Sequence, residues 1–359
     1  MKHNLYIGVV IAPYRVDLCN WLYEKFDCEI YHLYDRDDTA GFNSEAVASL
    51  CRFGRLLLPS FAVGSRRIGK GLRRLVRERR PEVVFVSEFS PVTLQVLWIR
   101  ATSRRKFKVV ALCDDSLDMI GGNDFSAVHR LLRRFVPRFV DNLILVNEPV
   151  AAWYRERFGK GVCLPILSDE RRLRDEMRKA LPLCGETARE YDLSGKSVIL
   201  YVGRLIPLKN VGTLLKATRG MDAKVVIVGD GEMRPQWEEL AVRLGVDAVF
   251  PGRKSGEELY VWYLLADVLV LPSLQEAFGA VVNEALIAGC PAVVSDRAGA
   301  ASLIDGTNGA VFDPTSPEEL SSCLRKVLSG VPGRRDGALR DSLMCVTFEE
   351  AVSTAIERL

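Results

Sequence analysis

Two carboxylates, Glu276 and Glu284, stand eight positions apart in the stretch from Pro272 to Leu286. Eight positions of helix would separate them by about 12 Å along the axis. That is too far for one acid/base pair, and it suits gripping two ends of an extended ligand. Each carboxylate can accept hydrogen bonds from paired hydroxyls, as on a sugar ring or a ribose. Glu276 precedes the expected helix and Glu284 lies inside it, which puts Ala277, Phe278 and Gly279 near the helix N-terminus. Unpaired amides there, with the helix dipole, favour a phosphate. Upstream, Gly203 lets the chain turn tightly after a strand, and Arg204 and Lys209 project two cations from the loop. An Arg fork and a Lys point charge together hold a diphosphate well. Taken singly, each residue reads equally as a surface cation, a helix-end acid or a solvated helix face.

Short β-branched runs alternate with helical patterns along the whole chain and must position these groups. Strands are expected at 5–11, 29–33, 83–87, 109–112 and 143–146, then at 198–202, 224–228, 248–250, 268–271 and 292–295. Continuous apolar strands alternating with helices imply parallel sheets covered on both faces. The expected fold class is α/β: two doubly wound, Rossmann-like parallel-sheet domains facing a cleft, with ligands at the carboxyl ends of the strands. A charged stretch at 168–179, followed by Pro182 and Gly185, marks a boundary. It separates domains at 1–183 and 184–335 and leaves 336–359 as a helical segment expected to pack back towards the first domain.

Together these segments resemble glycosyltransferase family 4, of the two-domain GT-B architecture. The resemblance is strong over roughly 195–320, with the Glu-x7-Glu spacing joined by Lys224-Val225-Val226-Ile227-Val228-Gly229-Asp230-Gly231, Phe250-Pro251-Gly252-Arg253 and Gly289-Cys290-Pro291-Ala292-Val293-Val294. The first half fits only loosely. The resemblance implies an acceptor-binding first domain and a nucleotide-sugar donor domain after it. It implies Arg204 and Lys209 on the donor diphosphate, Glu284 on the nucleotide ribose and Glu276 on the transferred sugar. Phe278 and Gly279 would offer backbone amides, and Arg253 and Lys254 would line the base pocket. Transfer with retention of anomeric configuration and without a metal or other cofactor is implied too, the two cations neutralising charge as the sugar–phosphate bond breaks. Where family members carry a sugar-site His, this chain reads Ala111-Leu112-Cys113-Asp114-Asp115-Ser116, so Asp114 or Asp115 is expected to substitute or else to be a turn pair. Another departure, Ala300-Ala301-Ser302 where Glu is common, touches details of the donor pocket.

Other readings compete. Asp35-Arg36-Asp37 has the Asp-x-Asp form of metal-dependent transferases, but it leaves the second strand-helix domain unexplained. A nucleotide-sugar epimerase should bring several His, and only His3, His32 and His129 exist. A non-catalytic nucleotide-sugar binder remains open. Nine cysteines without a CxxC pair read as free thiols in a reducing cytoplasm, and no zinc-type cluster is expected.

With 359 residues, 48% hydrophobic and 26% charged, the chain is an ordinary folded protein of two-domain length. No stretch reaches the length of a membrane span. The net charge of +3 conceals +9 over 1–183 against −6 over the remainder. Much of the excess lies in Arg66, Arg67, Lys70, Arg73, Arg74, Arg77, Arg79 and Arg80, with Ile68, Leu72, Leu75 and Val76 at helical spacing. That pattern suits a helix lying on an anionic membrane surface, or equally an amphipathic helix packed on the first sheet. A peripheral position at the inner membrane face and a lipid-linked glycan acceptor are the matching expectations. Nucleic acid fits poorly, since no aromatic residues are interleaved.

Overall fold

Apolar β-branched runs are buried on both faces only when sheets are covered on both sides, and two such sheets form. The computed structural model describes residues 3–33, 44–63, 66–121, 127–330 and 337–359. Asp35, Arg36 and Asp37 lie outside the described residues. The chain divides into two units, Met1–Ile166 with Glu349–Leu359, and Leu167–Phe348.

The first unit holds β1 (Asn4–Gly8), β2 (Cys28–His32), β3 (Leu56–Leu57), β4 (Ser60–Val63), β5 (Arg66–Gly69), β6 (Val83–Ser87), β7 (Lys108–Cys113), β8 (Asn142–Leu145) and β9 (Val162–Cys163). Seven of them form one parallel sheet in the order β3-β2-β1-β6-β7-β8-β9, while β4 and β5 pair antiparallel. Its core joins Leu5, Ile7, Val84, Val86, Val109 and Leu143 to Tyr154. The terminal residues group with this unit, Lys108 Nζ donating to the Leu359 carbonyl at 3.3 Å and Asn142 Nδ2 to that of Arg358 at 3.2 Å.

The second unit holds β10 (Ser197–Val202), β11 (Ala223–Val228), β12 (Ala248–Gly252), β13 (Val268–Leu271), β14 (Ala292–Ser295) and β15 (Gly309–Phe312). They run parallel in the order β12-β11-β10-β13-β14-β15. Chain direction across the sheet reverses between β10 and β13, the switch point where such sheets bind ligands.

Two expectations need correction. The second unit begins at Leu167, not at 184, because Glu170–Glu190 is one helix through Pro182 and Gly185. Its buried residues Leu173, Met177, Ala180, Cys184 and Ala188 follow helical spacing, while Pro182 sits on the solvent side. Asp169 caps its start, accepting from the Arg171 and Arg172 amides. The Arg-rich segment is not one helix either. Arg66–Gly69 is strand β5, and only Leu72–Arg79 is helical, entered through Gly71 at φ 74°. Leu72 and Val76 are buried in the core, so the expected stripe faces protein and its arginines face solvent.

No disulfide forms among the nine cysteines, and five of them are buried. No helix among the described residues is long and apolar enough to cross a membrane.

Close backbone approach fixes the site-bearing loops of the second unit. A Cβ at Gly229 would lie 1.8 Å from the Gly203 carbonyl oxygen, and one at Gly231 would lie 2.4 Å from that of Leu205. Gly203 is constrained differently from the expected tight turn: a Cβ there would meet the Tyr201 hydroxyl at 2.7 Å. Gly229→Ala should therefore destabilise this unit by about 3 kcal/mol or more in urea unfolding. Gly245→Ala, with open space around it and φ 65°, should cost only about 1–2 kcal/mol.

Candidate active site

The loops after β10 and β13 meet at the carboxyl ends of the two switch-point strands. The Leu274 amide donates to the Leu208 carbonyl at 2.9 Å. Asn210, held at φ 53°, donates through Nδ2 to the carbonyls of Pro272 at 3.1 Å and Pro314 at 2.8 Å. This stapling brings Lys209 onto Glu276, and the two form an ion pair. Their side chains are 14% and 17% exposed, so the pair is shielded from bulk water yet reachable. The Ser273 hydroxyl adds a long contact of 3.5 Å to the same carboxylate oxygen. Glu276 also makes a parallel bridge with Ala298, and the Ala300 amide donates to the Phe278 carbonyl at 2.8 Å.

Arg204 follows Gly203 on the same loop, exposed and without an ion pair among the described residues. The buried Tyr201 hydroxyl beneath it donates to the Arg204 carbonyl at 2.9 Å. One cation of the predicted couple is thus open, and the other is neutralised by Glu276.

Glu284 sits in the helix Ala280–Ile287, whose cap is Gly279 at φ 102°. A Cβ on Gly279 would lie 2.4 Å from Leu271 Cδ2, so glycine is needed both for conformation and for space. Phe278, buried to 1%, anchors the turn. Tyr263 Oη donates to Glu284 Oε2 at 2.7 Å. Burial raises the Glu284 pKa, opposed by this hydrogen bond and by the Arg172 charge. The tyrosine hydroxyl is itself pushed well up by burial and by Glu284. Arg253 is exposed after β12, and Lys254 pairs with Glu258 at 3.6 Å.

In the first unit the two aspartates after β7 part company. Asp115 is buried to 5% and pairs with Arg133, whose Nε donates at 2.9 Å, while Tyr154 Oη donates at 3.1 Å. Its carboxylate is committed to this network, so the structure removes Asp115 from the residues available to a substrate. Asp114 pairs with Arg15, accepts from Tyr14 Oη at 3.0 Å and keeps 23% of its side chain exposed. Glu88 directly follows β6 at φ 53° and keeps much of its surface exposed. Desolvation of its carboxyl, then the charges of Asp114 and Asp115, raise its pKa to about 7.

Sequence reasoning missed Glu88, Asn210, Tyr201 and the Tyr263–Glu284 bond. Nothing in the sequence pairs Tyr263 with a residue 21 positions away. Among the described residues no three His, Cys, Asp or Glu side chains gather in a metal-holding group.

Two parallel Rossmann-like sheets, one bearing this switch-point site, define the GT-B class of fold. The same fold occurs in the solved Anabaena HepE in complex with UDP, which aligns over 100% of this chain and 95% of that one with a TM-score of 0.69 at 15% identity. Residues 186–336 match the family described as glycosyl transferases group 1. An uncharacterized glycosyltransferase of Methanocaldococcus jannaschii is 39% identical over 141 residues, 37% of this chain and 36% of that protein. A GDP-mannose-dependent α-(1-6)-phosphatidylinositol dimannoside mannosyltransferase of Mycobacterium tuberculosis is 26% identical over 333 residues, 85% of this chain and 82% of that protein. The chain thus spans little more than a third of the first relative and most of the second.

Asp115→Ala should cost about 3–5 kcal/mol in unfolding of the first unit, because it strands the Arg133 guanidinium in a buried site. Removing an exposed partner, as in Glu156→Ala beside Arg157, should stay within about 1 kcal/mol.

Proposed function

We propose that this chain is a retaining glycosyltransferase that moves a sugar from a UDP- or GDP-linked donor to a glycan acceptor, carried on a lipid. The observation that carries the reading is the Lys209–Glu276 pair at the switch point, with open Arg204 on one loop and Glu284 on the adjoining helix. A diphosphate entering here meets the Arg204 fork directly. It recruits Lys209 by displacing the Glu276 carboxylate, a trade of one anion for another. Glu276, once released, accepts hydrogen bonds from hydroxyls of the transferred sugar. Glu284 does the same for the ribose, oriented by Tyr263. As the sugar–phosphate bond breaks, negative charge collects on the diphosphate, where two cations neutralise it in a half-dry site without a metal ion. The names of the relatives support a nucleotide donor, since one is GDP-mannose-dependent and HepE was solved with UDP.

The acceptor reading rests on the first unit. Its partly exposed Asp114 and the Glu88 carboxyl stand at strand ends, where acceptor hydroxyls can be held. Although the Leu72 and Val76 stripe is buried, a different face supports a peripheral position on anionic membrane. Leu57, Phe61 and Trp98 are 53%, 42% and 58% exposed, with Lys70 over the Phe61 ring at 5.6 Å and Arg73 over Trp98 at 5.0 Å.

A nucleotide-sugar panel tests the reading by thermal shift and slow hydrolysis. One donor should raise the unfolding midpoint and be turned over. Glu284→Gln and Lys209→Ala should each lower that turnover by about 100-fold. Near-normal turnover in both variants, or no response to any donor, would contradict it.

A further inference from the structure

A second feature of the first unit adjoins Arg133, on the side of that residue away from the strand-end carboxylates. A cavity of about 400 Å³ opens beside the helix Ala127–Phe135, and five of its lining side chains are arginines. They are Arg130, Arg133, Arg134, Arg138 and Arg157, and no lining residue is acidic. The rest of the lining is apolar: Met119, Ile120, Trp153 and Phe158.

An ordinary solvated helix face alternates signs at i,i+4 spacing. Here Arg130 and Arg134 repeat one sign at that spacing, an arrangement that destabilises a helix on its own, and Arg138 adds a third cation from the 3-10 turn that follows. Two of the five are neutralised, Arg133 by Asp115 and Arg157 by Glu156. Arg134 and Arg138 form no ion pair among the described residues. Arg138 instead lies over the Phe158 and Phe135 rings at 5.3 and 5.6 Å, and Arg157 lies over Trp153 at 4.2 Å. The guanidinium planes are thereby held against aromatic walls; Arg138 also donates one N–H to the Arg134 carbonyl, and its remaining N–H groups are left for an anion. Trp153 and Phe158 pack against the buried core, so the apolar wall is fixed.

We infer that this cavity binds an amphiphile bearing a phosphate or diphosphate. Arg134 and Arg138 fork the phosphate oxygens, and Met119, Ile120, Trp153 and Phe158 cover the first part of an apolar chain. The inference deepens the lipid-carried-acceptor reading and rests on it for its biological sense. Occupancy of the cavity is nevertheless measured without donor or transfer. The same phosphate chemistry could come from a soluble phosphate, which the test separates.

The test is isothermal titration of the full chain carrying Lys209→Ala, which disables the diphosphate site of the second unit. Geranyl diphosphate should saturate one site, at least about tenfold tighter than inorganic diphosphate. Adding Arg134→Ala and Arg138→Ala should weaken it by about tenfold or more with an unchanged unfolding midpoint, and the corresponding Lys pair should restore part of the loss. No saturable binding of geranyl diphosphate overturns the inference, and so does binding that ignores the double variant. Equal affinity for inorganic diphosphate overturns it too, by identifying a soluble phosphate as the occupant. Loss of donor hydrolysis in the wild type would instead overturn the transfer reading and leave the cavity standing.

Discussion

The Lys209–Glu276 ion pair is the interaction on which the donor side turns. Its members are 67 residues apart in the chain, so it exists only because the β10 and β13 loops are stapled to each other. The stapling uses backbone and amide contacts from Leu208, Asn210, Pro272 and Leu274. Behind it, Gly229 and Gly231 let neighbouring loops press directly on the backbone of Gly203 and Leu205. A half-buried pair of this kind stores an electrostatic choice. The ammonium keeps its carboxylate until a stronger or better-placed anion arrives, and the carboxylate is then released beside that anion. In the proposed function, binding the phosphate and freeing a sugar-gripping acid would be a single event.

The first unit treats its charges in the opposite way. Asp115, Arg133, Tyr154 and Asn147 form a closed network that fastens the end of β7 to a helix, Asn147 Nδ2 donating to the Asp115 carbonyl at 3.1 Å. Buried and with its carboxylate held by three side-chain hydrogen bonds, it positions and does not react. Next to it, Asp114 and Glu88 keep solvent contact, and desolvation of the Glu88 carboxyl, followed by the charges of Asp114 and Asp115, raises its pKa to about 7. Rigid and adaptable carboxylates thus sit side by side at the same strand ends.

Much of this was legible in the sequence. The strands at 83–87, 268–271 and 292–295 match the structure to the residue, because uninterrupted β-branched runs leave no other stable use. The Glu-x7-Glu spacing, Arg204 and Lys209 also fall at one switch point. What was illegible depends on tertiary pairing. Pro182 read as a breaker, yet the buried spacing from Leu173 to Ala188 carries the helix through it. The arginines from 66 to 80 read as one helix, whereas Gly69 and Gly71 divide them between a strand and a helix. Asp114 and Asp115 are indistinguishable in sequence, and only Arg133, 18 residues further on, decides which one is buried.

The proposed competition is between Glu276 and donor phosphate for Lys209. The most direct measurement is the affinity of wild type and Glu276→Gln for the nucleoside diphosphate of the donor, which lacks the sugar. Removing the competing charge should tighten binding by about threefold or more while transfer is lost. Equal or weaker binding by Glu276→Gln would contradict the claim.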